Sequence, residues 1–301
     1  MSASFVDRLA EGMQAKGAPC AVGIDPLWER FSPALRREVG ESPEDAAQAA
    51  AGLERFGALV VDAVADLVAA VKFQIAYYEI YGSAGLAALE RSIAAASAAG
   101  LLVIVDAKRG DIGATSQAYA RAFLSGSPLS PLGGDALTLS PYLGSDSIEP
   151  FAALCRETGR GLFVCAKTSN PGGALVQDVT QDGRTVYERV AGFVAEAGEE
   201  LMGTCGYSNL GIVVGATAAG PARALRRQVP KTVFLMPGLG AQKGDAAILR
   251  EIVDGEGLGA VVAASRSVTF PHLFGDAPGD PKTAIRAACR AFIEQVAQAL
   301  R

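Results

Sequence analysis

Apolar runs of five to seven residues recur eight times along this chain, and they constrain its fold more than any other feature. They are CAVGID (20–25), AVKFQI (70–75), LLVIVD (101–106), ALTLS (136–140), GLFVCAK (161–167), LGIVVG (210–215), TVFLMP (232–237) and LGAVVAA (258–264). Strands that are apolar on both faces are covered on both faces, which is the habit of a parallel sheet walled by helices. Segments of helical spacing lie between the runs, among them EDAAQAAAGLERFGALVVDAVADL and SAGLAALERSIAAASAAG, with glycine or proline at many ends. Eight βα units in about 250 residues predict a closed (β/α)8 TIM barrel. A doubly wound open sheet is the rival layout, and no glycine-rich turn follows the first run to favour it.

Neither a linker nor an internal repeat interrupts the 301 residues, so one barrel domain is expected over 1–301. Phe5, Leu9 and Met13 recur at helical spacing and predict an N-terminal cap helix rather than a signal peptide. Residues 26–50 exceed what a first unit needs and predict a short extra helix; residues 168–209, glycine-rich at NPGGALVQDVTQDG, predict a mobile loop. The net charge of −5 offers no basic face to nucleic acid. No run of about 18 apolar residues is present to span a membrane. The five cysteines are scattered, with no C-x-x-C pair, which argues against disulfides and cysteine zinc sites and for a reduced, cytoplasmic setting. They read as small core residues.

His272 is the single histidine, so histidine metal clusters are out of reach and proton transfer falls to lysines and carboxylates. His272 itself reads as a loop residue. Active sites of (β/α)8 barrels lie at the carboxyl ends of the strands. Asp25 ends the first strand, Lys72 lies in the second, and Asp106 and Lys108 end the third. Side chains alternate along a strand, so Asp106 and Lys108 share a face, as do Lys72 and Gln74. Burying a lone ion costs several kcal/mol. Alternating signs offset that cost and keep an ammonium protonated, so the cluster can hold and deliver a proton. A salt-bridge network that only keeps strands in register is the bland alternative; four such residues converging at the catalytic end favour chemistry.

After the seventh strand comes MPGLGAQKGD (236–245), and the eighth ends in AASRSV (263–268). These are the loops where barrels bind phosphate. Gly238 and Gly240 allow close backbone approach, Gln242 can donate an amide hydrogen bond, and Arg266 can grip two oxygens at once. The glycines do not follow G-x-G-x-x-G, so no dinucleotide cofactor is expected. The residues point to a phosphorylated substrate whose reacting end meets a Lys/Asp array, with no metal and no cofactor.

Asp106-Ala-Lys108-Arg-Gly-Asp111 is a D-x-K-x-x-D motif, followed by Ile112 and Thr115. With Lys72 in VKFQ, and MPGLGAQ and SRS in order behind it, the chain resembles the orotidine 5′-phosphate decarboxylase family over most of its length. DAKRGDIGATS, KTSNPGG and the extended region after the first strand resemble its longer bacterial subgroup, type 2. The resemblance implies cofactor-free decarboxylation of orotidine 5′-phosphate to UMP, the last step of de novo pyrimidine nucleotide synthesis, by a homodimer. It implies that Lys108 protonates C6, that Asp106 lies against the substrate carboxylate, and that Lys72 and the partner subunit's Asp111 complete the array. Asp25 and Lys72 would bind ribose hydroxyls, with Ile112 and Thr115 reaching across from the partner. Pro237, Gln242 and Arg266 would line the phosphate site, and Thr168 or Ser169 would meet the polar edge of the pyrimidine.

Metal-dependent phosphosugar decarboxylases and aldolases share the motif, but they carry an acidic ligand where this chain has Lys72. Lys167, ending the fifth strand, could serve a Schiff-base aldolase, and a barrel that only binds a nucleotide is the non-enzymatic reading. Arg109 reads as a solvated or interface residue, Trp28 and the YYEIYG aromatics as packing for the helix after strand two. Residues 174–209 match no functional motif.

Overall fold

The structure, a computed structural model, describes residues 3–239, 246–275 and 279–301. Eight parallel strands close into a barrel: β1 Cys20–Ile24, β2 Ala70–Gln74, β3 Leu102–Arg109, β4 Ala136–Leu139, β5 Gly161–Lys167, β6 Ser208–Val214, β7 Thr232–Pro237 and β8 Ala260–Ala264. Closure is made by β8 against β1, with Val22 opposite Ala264. All eight expected runs are strands, and only the third differs by more than two residues, because β3 continues to Arg109. Helices Ala46–Val64, Gly82–Ala98, Gly113–Leu124, Glu149–Thr158, Val186–Ala197, Ala219–Gln228 and Pro281–Leu300 wall the outside.

The cap helix forms over Phe5–Lys16, with the Ser4 hydroxyl accepting from the Asp7 amide at its start. Phe5, Val6, Leu9 and Met13 plug the amino end of the barrel, beneath Ile104, Phe163 and Val261. Each such side chain contributes about 1.5–3 kcal/mol by leaving water. Phe5 meets Phe163 edge-on at 5.9 Å, and a Cβ on Gly161 would lie 2.1 Å from the Phe5 ring, so glycine there lets the cap seat. Polar bolts fix it: Val6 N–H donates to Asn209 Oδ1 at 2.8 Å, and Arg8 pairs with Asp135 at 2.7 Å.

The extra helix after β1 spans Pro33–Val39, capped by Ser32. The interval 168–209, whose glycine-rich stretch is expected as a mobile loop, carries regular secondary structure. It folds as a turn (Pro171–Gly173), a helical turn (Ala174–Gln177), a hairpin pairing Thr180–Gln181 with Arg184–Thr185, and the helix Val186–Ala197. Thr185 and Glu188 close a reciprocal capping box at that helix start, which the glycine content conceals.

Trp28 also departs from expectation. It packs on the helix after β1, where a Cβ on Gly52 would lie 2.1 Å from its ring, and it leads a series of contacts through Phe31 and Phe56 to Phe270. Tyr78 does pack near β2, at 6.4 Å from Phe73. Cys20, Cys155 and Cys289 are buried and Cys165 and Cys205 partly so, all as free thiols. Among the described residues, no helix is long and apolar enough to cross a membrane.

Candidate active site

The end of β3 departs from regular strand geometry. Val105 pairs with Leu137 and Arg109 with Leu139, so Asp106, Ala107 and Lys108 together oppose the single residue Thr138 on β4. The excess is taken up in a bulge where Lys108 adopts φ 46°, the left-handed region that costs a residue with a side chain about 1–3 kcal/mol. Asp106 and Lys108 therefore meet as expected, but through this bulge rather than through simple alternation.

Asp106, 6% exposed, sits at the centre. Its Oδ2 accepts from Lys72 Nζ at 2.8 Å and Gln74 Nε2 at 3.0 Å. Its Oδ1 accepts from Lys108 Nζ at 2.5 Å and the Thr138 hydroxyl at 2.8 Å. Four donors occupy the acceptor capacity of the carboxylate. Burial alone would raise its pKa, but Lys72 and then Lys108 hold it far below the usual carboxylate range. Lys72 is buried as deeply; burial would lower its pKa, but Asp106 and then Asp25 hold the ammonium above the ordinary lysine value. Asp25 Oδ1 lies 3.9 Å from Lys72 Nζ, too far to accept from it, and this buried oxygen has no hydrogen-bond donor among the described residues. It is an acceptor awaiting a donor.

Above the array lies a cavity of about 330 Å³. It brings together Asp25, Lys72, Asp106, Lys108, Thr168, Ser169, Pro237 and Arg266 from the ends of six strands. Gly238 joins them at φ 104°, a turn that glycine makes without strain, and Arg266 has no carboxylate partner among the described residues. The β1–β3 side of the cavity is thus anionic and cationic by turns, and Arg266, following β8 beside β1, adds a guanidinium that pairs with no carboxylate among the described residues. Gln242 and Gly240 lie outside the described residues.

Asp111, Ile112 and Thr115 are not brought into this cavity. Asp111 Oδ1 accepts from the Ile112 amide at 2.8 Å, Ile112 is 57% exposed, and Thr115 faces outward on the helix Gly113–Leu124. Lys167 also stays out: after a register shift at the end of β5 it pairs with Asp178 at 2.5 Å. Arg109 is held by Glu79 and by the rings of Tyr119 and Phe123, each 5.8 Å away. His272, expected in a loop, lies in the short 3-10 turn Pro271–Leu273, edge-on to Phe270.

Two participants escaped the sequence reading. Thr138 and Gln74 both bond Asp106, and the alternation that paired Gln74 with Lys72 was the available signal for the latter. The hydroxyls of Thr168 and Ser169 differ. Thr168 donates to Asn170 Oδ1 at 2.6 Å and accepts from Gln177 Nε2 at 2.7 Å, whereas Ser169 has no hydrogen-bond partner among the described residues.

Residues 48–272 match the family described as orotidine 5′-phosphate decarboxylase / HUMPS. An orotidine 5′-phosphate decarboxylase of Rhodopirellula baltica is 44% identical over 89% of each chain. One of Roseiflexus castenholzii is 40% identical over 99% of each. A crystal structure from Streptomyces avermitilis, assigned to the same enzyme, superposes with a TM-score of 0.80 at 40% identity, covering 99% of this chain and 96% of that one.

Proposed function

The chain belongs to the orotidine 5′-phosphate decarboxylase / HUMPS family and its reaction is the decarboxylation of orotidine 5′-phosphate to UMP; we propose that the Lys72–Asp106–Lys108 array carries that reaction by direct protonation at C6. The observation that carries this reading is the Asp106 carboxylate, saturated by four donors of which two are ammonium groups, at the mouth of a closed barrel.

When the bond from C6 to the carboxylate breaks, its electron pair remains on C6 in the plane of the ring, where the π-system cannot delocalise it. Carbon dioxide departs, and an N–H proton of Lys108 passes to C6, leaving a neutral amine that regains its proton from solvent. A cation already fixed beside the developing charge stabilises it without reorganisation, an effect worth several kcal/mol per group. The unpaired Asp25 oxygen accepts a ribose hydroxyl, with Lys72 beside it. Arg266 and Gln242 take the phosphate, with Pro237 lining the site, and its remote binding energy holds the ring against the array. Ser169, with its hydroxyl uncommitted, meets the polar edge of the pyrimidine; Thr168 is spent on Gln177 and Asn170.

Asp111, Ile112 and Thr115 act in the site of a second subunit. Their position outside their own cavity supports this, with Ile112 and Thr115 exposed and Asp111 half-buried, as do Tyr142 and Leu143, exposed apolar residues in the neighbouring loop after β4. The partner subunit's Asp111 then completes the charged array.

The test is loss of orotidine 5′-phosphate absorbance with purified protein after EDTA treatment. Wild-type turnover should persist, and Lys108→Ala should lower kcat by about 10²–10⁴, the range for a positioned general acid, while still binding UMP. Undiminished turnover in a folded Lys108→Ala protein would defeat the mechanism.

A further inference from the structure

We propose that Thr138 of β4 is a positioning residue that aims the Lys108 ammonium at C6, an inference that rests on Lys108 being the proton donor. The side chain is 1% exposed and stands opposite the three-residue bulge of β3. Widening a strand in this way breaks the ladder and strips amides of their carbonyl partners. Lys108 N–H is one of them, and it donates instead to Thr138 Oγ1 at 3.0 Å. An amide can only donate, so Oγ1 is the acceptor there. Its own proton goes to Asp106 Oδ1 at 2.8 Å, since that carboxylate can only accept.

One hydroxyl therefore ties the backbone of Lys108 to the carboxylate that its ammonium also touches, at 2.5 Å. The resulting ring fixes both ends of the lysine: its left-handed backbone, and the oxygen against which its nitrogen rests. Without the hydroxyl, the Lys108 amide has no acceptor in the bulge, and the backbone end of the lysine loses the bond that opposes relaxation of φ 46° toward the ordinary strand region. That relaxation swings the side chain away from the cavity. Methyl and hydroxyl have similar volumes, so the device depends on hydrogen bonding and not on filling space.

Kinetics of Thr138→Val and Thr138→Ser decide it, with wild type assayed first on orotidine 5′-phosphate. In Thr138→Val, kcat should fall about 100-fold, the scale of a reacting group misplaced by about 1 Å. KM, and UMP binding by calorimetry, should stay within about threefold, because ribose and phosphate contacts are untouched. Thr138→Ser keeps the hydroxyl and should recover kcat to within about threefold of wild type. Should the valine variant not fold, Thr138→Ala carries the same expectation. A folded valine or alanine variant with unchanged kcat overturns the proposal, as does a serine variant impaired as much as valine. Wild type that fails to turn over would defeat the decarboxylase mechanism itself, and this inference with it; wild-type turnover beside an unimpaired Thr138→Val defeats this inference alone.

Discussion

Asp106 has two jobs that pull in opposite directions, and the balance between them can be measured. It must stay anionic to hold the buried Lys72 ammonium and the more open ammonium of Lys108, and under the proposed mechanism the substrate carboxylate approaches it as well. Burial opposes its ionisation, yet Lys72 and Lys108 more than offset that. Because its folded pKa is depressed, the stability it contributes is present above about pH 4, the unfolded value, and is lost only as pH falls through the folded one. Lys72 has a raised folded pKa, so its share is present below about pH 10 and lost as pH rises further. Between those limits the pair adds a constant amount. Asp106→Asn leaves the Lys72 ammonium with Asp25, 3.9 Å away, as its one carboxylate neighbour within the chain, and should cost about 3–5 kcal/mol near neutral pH. Burial would then depress the Lys72 pKa, the folded state would bind fewer protons than the unfolded, and stability would rise with pH. Urea melts of both proteins at pH 7 and pH 9.5 check this. The deficit of the variant should shrink at the higher pH, and a deficit independent of pH would show that Lys72 does not depend on Asp106 for its charge.

At the scale of elements, the strands were legible because a parallel barrel writes itself as unbroken apolar runs, and the charged residues at the ends of those runs marked much of the cavity that forms the candidate site. Other features leave no such trace. A bulge with a lysine at positive φ looks, as sequence, like a strand that has ended, which is why β3 reads three residues short of Arg109. Thr138 looks like any polar residue in a short strand, since its role comes from the register of its neighbour. The segment 174–185 matched no motif for the same reason: its contribution is a tertiary clamp. Gln177 Oε1 accepts from the Thr168 amide at 3.0 Å while its Nε2 donates to the Thr168 hydroxyl at 2.7 Å. A helical turn that reads as loop filler thus fixes the peptide leading into Ser169. Gln177→Ala removes both bonds, each worth about 1 kcal/mol, and should raise KM for orotidine 5′-phosphate about tenfold with kcat changed far less. Steady-state kinetics test it, and an unaltered KM would mean that the end of β5 holds Ser169 unaided.

For the whole molecule, the decisive question is whether one chain makes a complete site. Asp111 is three residues from Lys108 in sequence, yet the bulge and the turn into the helix Gly113–Leu124 send it away from the cavity that holds Lys108. A second subunit related by twofold symmetry would return the favour reciprocally, since each chain gives what it receives across an isologous interface. Subunit mixing separates this from a site built within one chain. Lys108→Ala and Asp111→Ala proteins should each be nearly inactive alone. Where Asp111 acts in trans, a mixed dimer has one site carrying both lesions and one carrying neither. Random exchange at equal concentrations makes about half of the dimers mixed, so about a quarter of all sites, and of wild-type activity, should return. Were Asp111 to act within its own chain, every site in every mixture would carry one lesion, and mixing would restore nothing.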